Sequence, residues 1–452
     1  MLLKELTNEQ FNNFTEKFKD KSIYQTAEYA FVMNKQNFDS LFLGMFDSNN
    51  TIVAATLLLI EKRFGFKYAY APRGFLIDYN NKEHLNEFTK LIKKYLGKQD
   101  IIAVKITPMI YKEKRNNENI VTVVNENFEE TLKFLKSKKY YHLGFNNSFE
   151  ALKPRFEAII PLNKNYIEIF NKLPKALKTK IRSAEKSGIV IHKGNKDNLG
   201  YLYLQTKKKY PRDLEYFNDC YDFFNKNKKA EFYYAKIDTS IFLNKARYEY
   251  QRCLDQNNKI NEELLENKQS NVKFIQKKME YDKLLNEVKN DLITATALNR
   301  QFPNGIVIAS VIIIKHANTA TLLIDGYDTN YKKFNGKHLL IWKLIQTFAS
   351  EGITEFNLGG INNPNDMSEK YKGLTEFKLS FGAESVEYIG DLELITNTPL
   401  YFMYRNSAPI RKILKKWSTI IFSDCWQIGI KFTYLSFILE LLVKINLIKY
   451  YR

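Results

Sequence analysis

Cysteine and histidine are scarce in this chain of 452 residues. The three cysteines, Cys220, Cys253 and Cys425, stand far apart and form no Cys-x-x-Cys pair, and the five histidines are equally scattered. That spacing supports neither a disulfide framework nor a zinc site, so we expect no metal. The length instead allows two or three domains with large hydrophobic cores.

Long apolar runs are also missing. The longest, from Phe432 to Val443, is interrupted by Glu440 and is well short of the roughly 20 residues that a membrane-spanning helix needs. The N-terminus, MLLKELTNEQ, lacks the basic and apolar regions of a secretory signal, which predicts a cytoplasmic location. The segment 401–452 is basic, aromatic and apolar, and is interpreted either as a helix on the inner face of the plasma membrane or as a core-packing helix.

Acidic residues are outnumbered, because 50 Asp and Glu face 69 Lys and Arg, which gives a formal net charge of +19. Such an excess favours polyanionic partners: nucleic acid, phosphorylated substrates or an anionic membrane. Since lysine and asparagine are abundant throughout the chain, genome composition explains the excess equally well. The hydrophobic content of 44% and the aromatic content of 14% exclude a mainly disordered chain.

Helical and strand patterns alternate along most of the chain, which predicts an α/β fold with a first domain over residues 1–155 and a second over 156–400. A helix is predicted from Pro174 to Ser187, because proline stands at its start and Gly188 follows its end. Other helices are predicted near Glu9–Phe18, Leu85–Leu96 and Lys337–Ser350. Strands are predicted at Leu41–Asp47, Thr51–Glu61, Ile101–Ile106, Gly305–Lys315, Ala320–Ile324 and Thr354–Leu358.

Between Ile241 and Leu292 the strand signal gives way to apolar residues spaced alternately by three and four. A polar break from Asn267 to Asn271 divides this stretch. The pattern predicts that residues 241–292 form an antiparallel helical hairpin, a coiled-coil arm inserted into the second domain. Such an arm is either a structural or dimer contact or a surface that grips RNA.

The stretch from Phe356 to Gly390 joins a predicted strand to a Gly359-Gly360 pair and a polar turn, a setting in which chemistry often occurs. Lys378 follows as a single cation between apolar neighbours. A lysine placed in this way is either a surface residue with its stem on apolar surface or a functional cation.

Two α/β units of this size are compatible with a duplicated acyltransferase fold. An acetyltransferase holds the pyrophosphate of coenzyme A with a [QR]-x-x-G-x-[GA] turn at a helix N-terminus. The matching place here, Lys333 to His338, keeps only Gly336, and His338 would crowd the close approach of a phosphate.

The sequence resembles the Fem family of peptidoglycan-bridge aminoacyltransferases over nearly its whole length. The segments that carry the resemblance are SIYQTAEYA (22–30), YAYAPRGFLIDY (68–79), KTKIRSAEKSGIVI (178–191), YPRDLEYF (210–217) and the stretch from Phe356 to Gly390. The resemblance implies two acetyltransferase-like (GNAT) domains with a helical arm in the second. It also implies transfer of an amino acid from aminoacyl-tRNA to the stem-peptide amine of a peptidoglycan precursor, with lipid II as the expected form.

The resemblance implies no cofactor beyond aminoacyl-tRNA as co-substrate. The other expected partners are the lipid-linked precursor, the cytoplasmic membrane surface and related bridge-forming transferases.

The family pattern G-L-x-x-F-K-x-x-F stands here from Gly373 to Phe381, and its lysine is important for transfer. The resemblance therefore assigns a catalytic role to Lys378 and a substrate contact to Phe377. The chemistry of the residue agrees, because attack of an amine on an ester builds negative charge on the carbonyl oxygen, which a fixed cation stabilises. The same cation would equally hold the terminal phosphate of a tRNA.

Arg212 and Tyr216 match an R-x-x-x-Y element that contacts the phosphates and sugar of the precursor in the family. The spacing of four predicts that both lie on one helical face, where the guanidinium can bridge phosphate oxygens. The alternative is a surface cation beside a packed aromatic ring.

The sequence departs from the family pattern at two places. The N-terminal lysine position, four residues after Tyr29, falls on Met33, and Lys35 is the nearest substitute for this substrate contact. The Asp-Pro dipeptide after the fifth strand is Thr107-Pro108 here, so no general base is carried over.

Two other functions stay open at this point. One is a coenzyme-A-dependent N-acyltransferase, against which the degraded phosphate turn argues. The other is a non-enzymatic adaptor that binds RNA or membrane through the arm and the basic helix faces.

Overall fold

The computed structural model describes residues 1–63, 65–147, 153–162, 165–208, 212–266, 272–366 and 371–407. The strands in this part of the chain are β1 (Leu2–Glu5), β2 (Asp39–Phe46), β3 (Ile52–Arg63), β4 (Phe66–Ala71), β5 (Ile101–Ile106), β6 (Tyr111–Arg115), β7 (Val121–Val124), β8 (Tyr140–His142), β9 (Phe156–Pro161), β10 (Ile189–Gly194), β11 (Ala230–Ile237), β12 (Ile306–His316), β13 (Thr319–Tyr327), β14 (Glu355–Ile361), β15 (Glu384–Tyr388) and β16 (Leu392–Ile395).

The α-helices are α1 (Asn8–Lys17), α2 (Ala27–Lys35), α3 (Lys82–Lys98), α4 (Phe128–Ser137), α5 (Tyr166–Lys172), α6 (Lys175–Lys186), α7 (Leu199–Thr206), α8 (Leu214–Asn225), α9 (Thr239–Glu266), α10 (Val272–Gln301), α11 (Gly336–Ser350), α12 (Lys372–Leu379) and α13 (Thr398–Asn406). Short 3₁₀ helices cover Lys196–Asn198 and Thr329–Phe334. The predicted mixed α/β fold is confirmed, and each strand and helix predicted above overlaps an observed one.

The strands form two mixed sheets, one of seven strands and one of nine. The first has the order β1-β2-β3-β4-β5-β16-β8, and the second has the order β10-β11-β12-β13-β14-β9-β15-β6-β7. Strands are exchanged across residue 156, since β6 and β7 join the second sheet and β16 inserts between β5 and β8 of the first. The two units that the sequence suggests are therefore interlocked through their sheets.

The apolar run of β12 explains why the second sheet is buried on both faces. Ile308, Val311 and Ile313 pack into one core with α6 and α11, whereas Ile312 and Ile314 pack into another. This other core also contains residues of α1, α2, α7 and α8. Helices from both halves of the chain thus share one hydrophobic core on β12, which fixes the position of each half relative to the other.

Helix α6 begins one residue after Pro174, as its sequence predicts, and buries the stripe Leu177, Ile181 and Ala184. Its lysines and arginine remain at the surface or only half buried. Leu177 and Ile181 contribute to the core around α11, so α6 holds a basic face beside the N-terminus of α11.

Two long helices, α9 and α10, occupy the region in which heptad spacing was found. Ser240 donates to Asn299 at 3.3 Å, and Asn257 accepts a 2.7 Å hydrogen bond from Lys278. Leu243, Ala246, Cys253 and Ile260, which stand at the heptad positions of α9, are buried.

Of the predicted C-terminal segment 401–452, residues 408–452 lie outside the described part of the chain. In the part of the chain that the structure does describe, every helix is too short or too polar to cross a bilayer.

Candidate active site

A deep cavity of about 1290 Å³ lies among β13, β14, the start of α11 and α12. Gly359 and Gly360 of β14 form part of its wall. Its charged lining residues are Lys153, Glu157, Lys180, Asp325, Asp328, Lys332, Lys337, Glu376 and Lys378. The cavity is large enough for the reacting ends of two substrates, because small-ligand sites occupy roughly 300 to 1,000 Å³.

Lys378 is buried at the cavity wall, with 7% of its surface exposed. Its Nζ donates a 2.9 Å hydrogen bond to the carbonyl oxygen of Gly360. Burial lowers the pKa of this lysine to about 8, with Asp325 and Glu157 opposing that effect and Lys337 adding to it. The side chain is therefore a desolvated, oriented cation rather than a solvated surface charge.

The backbone beside this lysine leaves the regular strand. The pairing of β14 with β9 is interrupted between Asn357 and Gly360, and Gly359 lies in the left-handed region with φ +80°. The freed amide of Gly359 donates to Oδ1 of Asn357 at 2.7 Å. The bulge therefore turns the Gly359-Gly360 backbone toward α12, which is how the carbonyl of Gly360 meets the lysine.

A second charged pair and an aromatic ring lie next to Lys378. Lys337, in the first turn of α11, forms an ion pair with Asp325 of β13. The same ammonium lies 4.6 Å from the ring centroid of Phe377. The structure thus places Phe377 and Lys378 together in the cavity, as the sequence predicts, and adds an acid–base pair that the sequence did not indicate.

His338 also lines the cavity, with its ring edge-on to Phe377 at a centroid distance of 5.1 Å. Burial and the nearby Lys180, Lys337 and Lys332 lower its pKa to about 4, so the imidazole is neutral at neutral pH. Its buried Nδ1 has no hydrogen-bond partner among the described residues. The residue therefore contributes an uncharged, polar wall next to several cations.

Glu157 of β9 is a buried carboxylate, 5% exposed, that lines the cavity on the side of the first unit. One oxygen accepts from Arg73 at 2.5 Å, and the other accepts from Nδ2 of Asn357 at 2.9 Å. Arg73 belongs to the turn that follows β4 and also donates to the carbonyl of Pro154 at 2.8 Å. A residue of the first unit is thus hydrogen-bonded into the cavity wall of the second.

Lys153, which is half-buried, brings a further amine to the same cavity. Its Nζ lies 3.0 Å from the ring centroid of Tyr24 and 5.7 Å from that of Tyr29. Burial, together with the charge of Arg73, lowers the pKa of Lys153 well below its ordinary value. The two aromatic faces favour the protonated form of this amine and so oppose the effect of burial.

Arg212 and Tyr216 lie together at the junction of α2 and α8, away from the described lining of this cavity. The guanidinium carbon of Arg212 is 4.7 Å from the ring centroid of Tyr216, and Nη1 donates to Gln36 at 3.0 Å. Tyr216 is buried, with 5% of its surface exposed, so its ring is a platform for the arginine.

The prediction that both residues lie on one helical face is wrong, because α8 starts only at Leu214. Asp213 caps the helix by accepting from the amide of Tyr216 at 2.8 Å, which places Arg212 before the first turn. The side chains meet nevertheless, since the arginine folds back over the ring. Their roles as substrate contacts stay predictions.

Lys35 is exposed in the last turn of α2, next to Gln36, which accepts the hydrogen bond from Arg212. Burial raises the pKa of Asp219 of α8, and the charge of Lys35 opposes that effect, so Lys35 lies near α8. Met33 is buried and cannot replace it. The structure thus forms two groups, Lys35 with Arg212 and Tyr216, and Phe377 with Lys378.

Thr107, which stands where the family pattern has an acid, accepts a 2.9 Å hydrogen bond from the backbone amide of Arg73. It is buried and serves to hold the turn after β4. Sequence reasoning missed Glu157, Asn357 and the Asp325–Lys337 pair. A signal that could have been used is the pair Pro72 and Gly74 around Arg73, since both are turn residues and they interrupt a strand-rich segment.

A desolvated cation on a glycine turn at the wall of a deep cavity is suited to stabilise negative charge on a reacting carbonyl oxygen. Comparison with known proteins identifies the protein family. The family model described as FemAB family matches residues 6–407, and this chain belongs to that family.

Two relatives from Staphylococcus epidermidis illustrate the similarity. A "Lipid II:glycine glycyltransferase" is 25% identical over 417 residues, which is 89% of this chain and 95% of the relative. An "Aminoacyltransferase FemA" is 23% identical over 416 residues, which is 90% of this chain and 99% of the relative.

Among solved structures, one described as "Crystal structure of FemX" matches with a TM-score of 0.69 and 21% identity. The match covers 89% of this chain and 99% of that one. It shows that the two chains share a fold. The finer expectation of two acetyltransferase-like domains stays a prediction.

Proposed function

We propose that this protein transfers an amino acid from an aminoacyl-tRNA to the stem-peptide amine of a lipid-linked peptidoglycan precursor, building an interpeptide bridge. Membership of the FemAB family and the names of its relatives support the reaction class. The observation that carries the proposal is the buried Lys378 ammonium, held by the Gly360 carbonyl at the cavity wall.

In the proposed reaction, the acceptor amine attacks the ester carbonyl of the aminoacyl group. A carbon–nitrogen bond forms, the carbon–oxygen bond to the tRNA ribose breaks, the amine loses a proton, and the ribose hydroxyl gains one. Negative charge develops on the carbonyl oxygen during attack. A positioned cation in a poorly hydrated site would lower that barrier by about 3 kcal/mol, the size found for one oxyanion-stabilising group.

The donor RNA is proposed to approach over the basic face beside the cavity. Lys180 of α6 and Lys332 are exposed and line the cavity, and their charges act on His338 together with that of Lys337. Several cations at one mouth attract the phosphates of a nucleic-acid end. The pair α9 and α10 is proposed as an antiparallel arm that extends this contact.

The acceptor is proposed to bind through the Arg212–Tyr216 pair, with Lys35 as a second contact to its phosphates. An arginine held over an aromatic ring keeps its planar fork of donors pre-organised, which suits recognition of a diphosphate. A peripheral location at the inner membrane face follows from the lipid-linked acceptor.

Incubation of the purified protein with lipid II and a pool of aminoacyl-tRNAs tests the proposal. Mass spectrometry of the lipid product should show the addition of one aminoacyl residue, and ribonuclease treatment should abolish it. Lys378→Met should lose transfer while it melts at a temperature close to that of the wild type. Acylation by acyl-coenzyme A in place of aminoacyl-tRNA, or full transfer by Lys378→Met, would contradict the proposal.

A further inference from the structure

The chain of hydrogen bonds from Arg73 to Lys378 crosses from the first unit to the second. Arg73 donates to Glu157 at 2.5 Å, and Nδ2 of Asn357 donates to the other carboxylate oxygen at 2.9 Å. Oδ1 of Asn357 accepts from the amide of Gly359 at 2.7 Å. The carbonyl of the next residue, Gly360, accepts from Lys378.

Each of these hydrogen bonds can run in only one direction from donor to acceptor. A guanidinium and a backbone amide only donate, and a carboxylate only accepts, so the amide of Asn357 has one possible orientation between them. The bulge in β14 has removed the Gly359 amide from the strand ladder, and Asn357 satisfies it. Glu157 and Asn357 therefore determine where the Gly359-Gly360 backbone lies.

We propose that Glu157 and Asn357 are positioning residues, which set the Gly360 carbonyl and thereby the Lys378 ammonium in the cavity. We call the hydrogen-bonded series from Arg73 through Glu157 and Asn357 to the Gly359-Gly360 backbone the relay. Arg73 anchors this relay to the first unit, so the geometry at Lys378 depends on both units. The charged groups that face Lys378 are Asp325 of β13, Lys337 of α11 and Glu157 of β9. The effect on transfer rests on the proposed function, whereas the effect on Lys378 itself does not.

Exchange of the two polar side chains is the sharpest test. Glu157→Gln alone presents an amide to the donating amide of Asn357, and Asn357→Asp alone presents a carboxylate to a carboxylate. The double variant Glu157→Gln/Asn357→Asp places the amide at position 157 and the carboxylate at position 357. It restores all three bonds, because the new glutamine accepts from Arg73 and donates to the new aspartate, which accepts from Gly359.

Glu387→Gln is the matched control. Glu387 of β15 is also a buried acid of the second sheet, and it forms an ion pair with Arg155 rather than with the relay. It is absent from the described lining of the cavity. This variant reports what the loss of a buried ion pair does to the fold alone.

Two measurements are made on the full chain. Each single variant should lower kcat for transfer by about 10- to 100-fold, the size expected when a reacting group is displaced by about 1 Å, with less change in KM. The double variant should recover to within about threefold of wild type, since neighbouring substitutions are non-additive. Glu387→Gln should keep the wild-type kcat per folded molecule.

The second measurement needs no transfer activity. The pH dependence of Lys378 acetylation by acetic anhydride, read by peptide mass spectrometry, should have its midpoint near 8 in the wild type. Glu157→Gln should move that midpoint to lower pH, because an attractive negative charge is lost, and the double variant should move it back.

The outcomes distinguish failure of the proposed transfer function from failure of the proposed positioning role of Glu157 and Asn357. A wild type that transfers nothing would overturn the proposed function, while the labelling midpoints would still support or overturn the relay. Single variants that match Glu387→Gln in both kcat and labelling, or a double variant no better than the singles, would overturn the relay.

Discussion

Arg212 lies over Tyr216, with its guanidinium carbon 4.7 Å from the ring centroid, and donates to Gln36, the residue that follows α2. The arginine thereby joins the end of α2 to the start of α8. The structure thus gives this predicted acceptor contact both an aromatic platform and a hydrogen bond.

Arg212→Ala should raise KM for the lipid-linked acceptor by about 10- to 100-fold, because a charged hydrogen bond contributes about 1.5 to 3 kcal/mol. Arg212→Lys should recover only part of this loss, since an ammonium cannot stack on the ring and reach two oxygens at once. Steady-state kinetics with varied acceptor measures both. Lys226→Ala removes a cation that lies 5.1 Å from Phe223 at the other end of α8 and serves as the control. An unchanged KM in Arg212→Ala would remove this residue from the acceptor site.

Transfer should decline as pH rises through about 8, where Lys378 loses its proton. The cationic form is the active one in the proposed reaction, so the declining limb should vanish in Lys378→Arg if that variant retains measurable activity. Initial rates on both sides of pH 8 test this expectation. A wild-type rate without a declining limb above pH 8 would contradict this role of the lysine.

The same lysine should also make stability depend on pH. Its pKa is lowered from 10.5 to about 8 in the folded protein, so the unfolded chain binds more protons between these values, and stability rises with pH across that window. The gain relative to Lys378→Met should approach about 3 kcal/mol above pH 10.5. Denaturant unfolding of both proteins at several pH values measures it, and parallel curves would contradict it.

Gly359→Ala should impair transfer more than its cost in stability explains. The left-handed φ of +80° costs an alanine about 1 kcal/mol, and the added methyl group would lie 3.6 Å from Nζ of Lys378. Gly352→Ala is the matched control, because its φ is +78° and nothing lies within 4 Å of the added methyl. Both variants should lose similar stability, and only Gly359→Ala should lose transfer. Equal transfer by the two would show that the glycine serves the turn alone.

His316 should make the fold sensitive to acid. It is 1% exposed at the end of β12, and neither ring nitrogen has a hydrogen-bond partner among the described residues. Burial, aided by Lys229, lowers its pKa to about 4 from an ordinary value of 6.5. The unfolded chain therefore binds the proton first, and stability falls as pH drops from 6.5 toward 4. His316→Leu should flatten this decline, as measured by denaturant unfolding, and an unchanged slope would contradict the assignment.

The local elements could be predicted from the sequence because their signals are local. Ile101–Ile106 is observed as β5 without any shift, and the Pro174 and Gly188 boundaries of α6 are those that its sequence indicates. The apolar neighbours of Lys378 left two interpretations open, a surface residue and a functional cation, and the structure shows that the lysine is buried.

The surroundings of Lys378 could not be predicted, because they depend on which strands pair. Glu157 reaches Asn357 only since β9 lies beside β14, some 200 residues later in the chain. Arg212 appeared to belong to a helix because spacing was counted without the capping residue Asp213. The division at residue 156 followed the order of elements along the chain, which carries no information on strand exchange.

The insertion of β16 between β5 and β8 has a consequence for biosynthesis. Domains usually fold in order of synthesis, the N-terminal part first. Here the first sheet lacks an internal strand until residues 392–395 have left the ribosome, and β8 has no neighbour in that sheet before then. The N-terminal half must wait as an unfinished sheet through most of translation, so the chain matures as a whole.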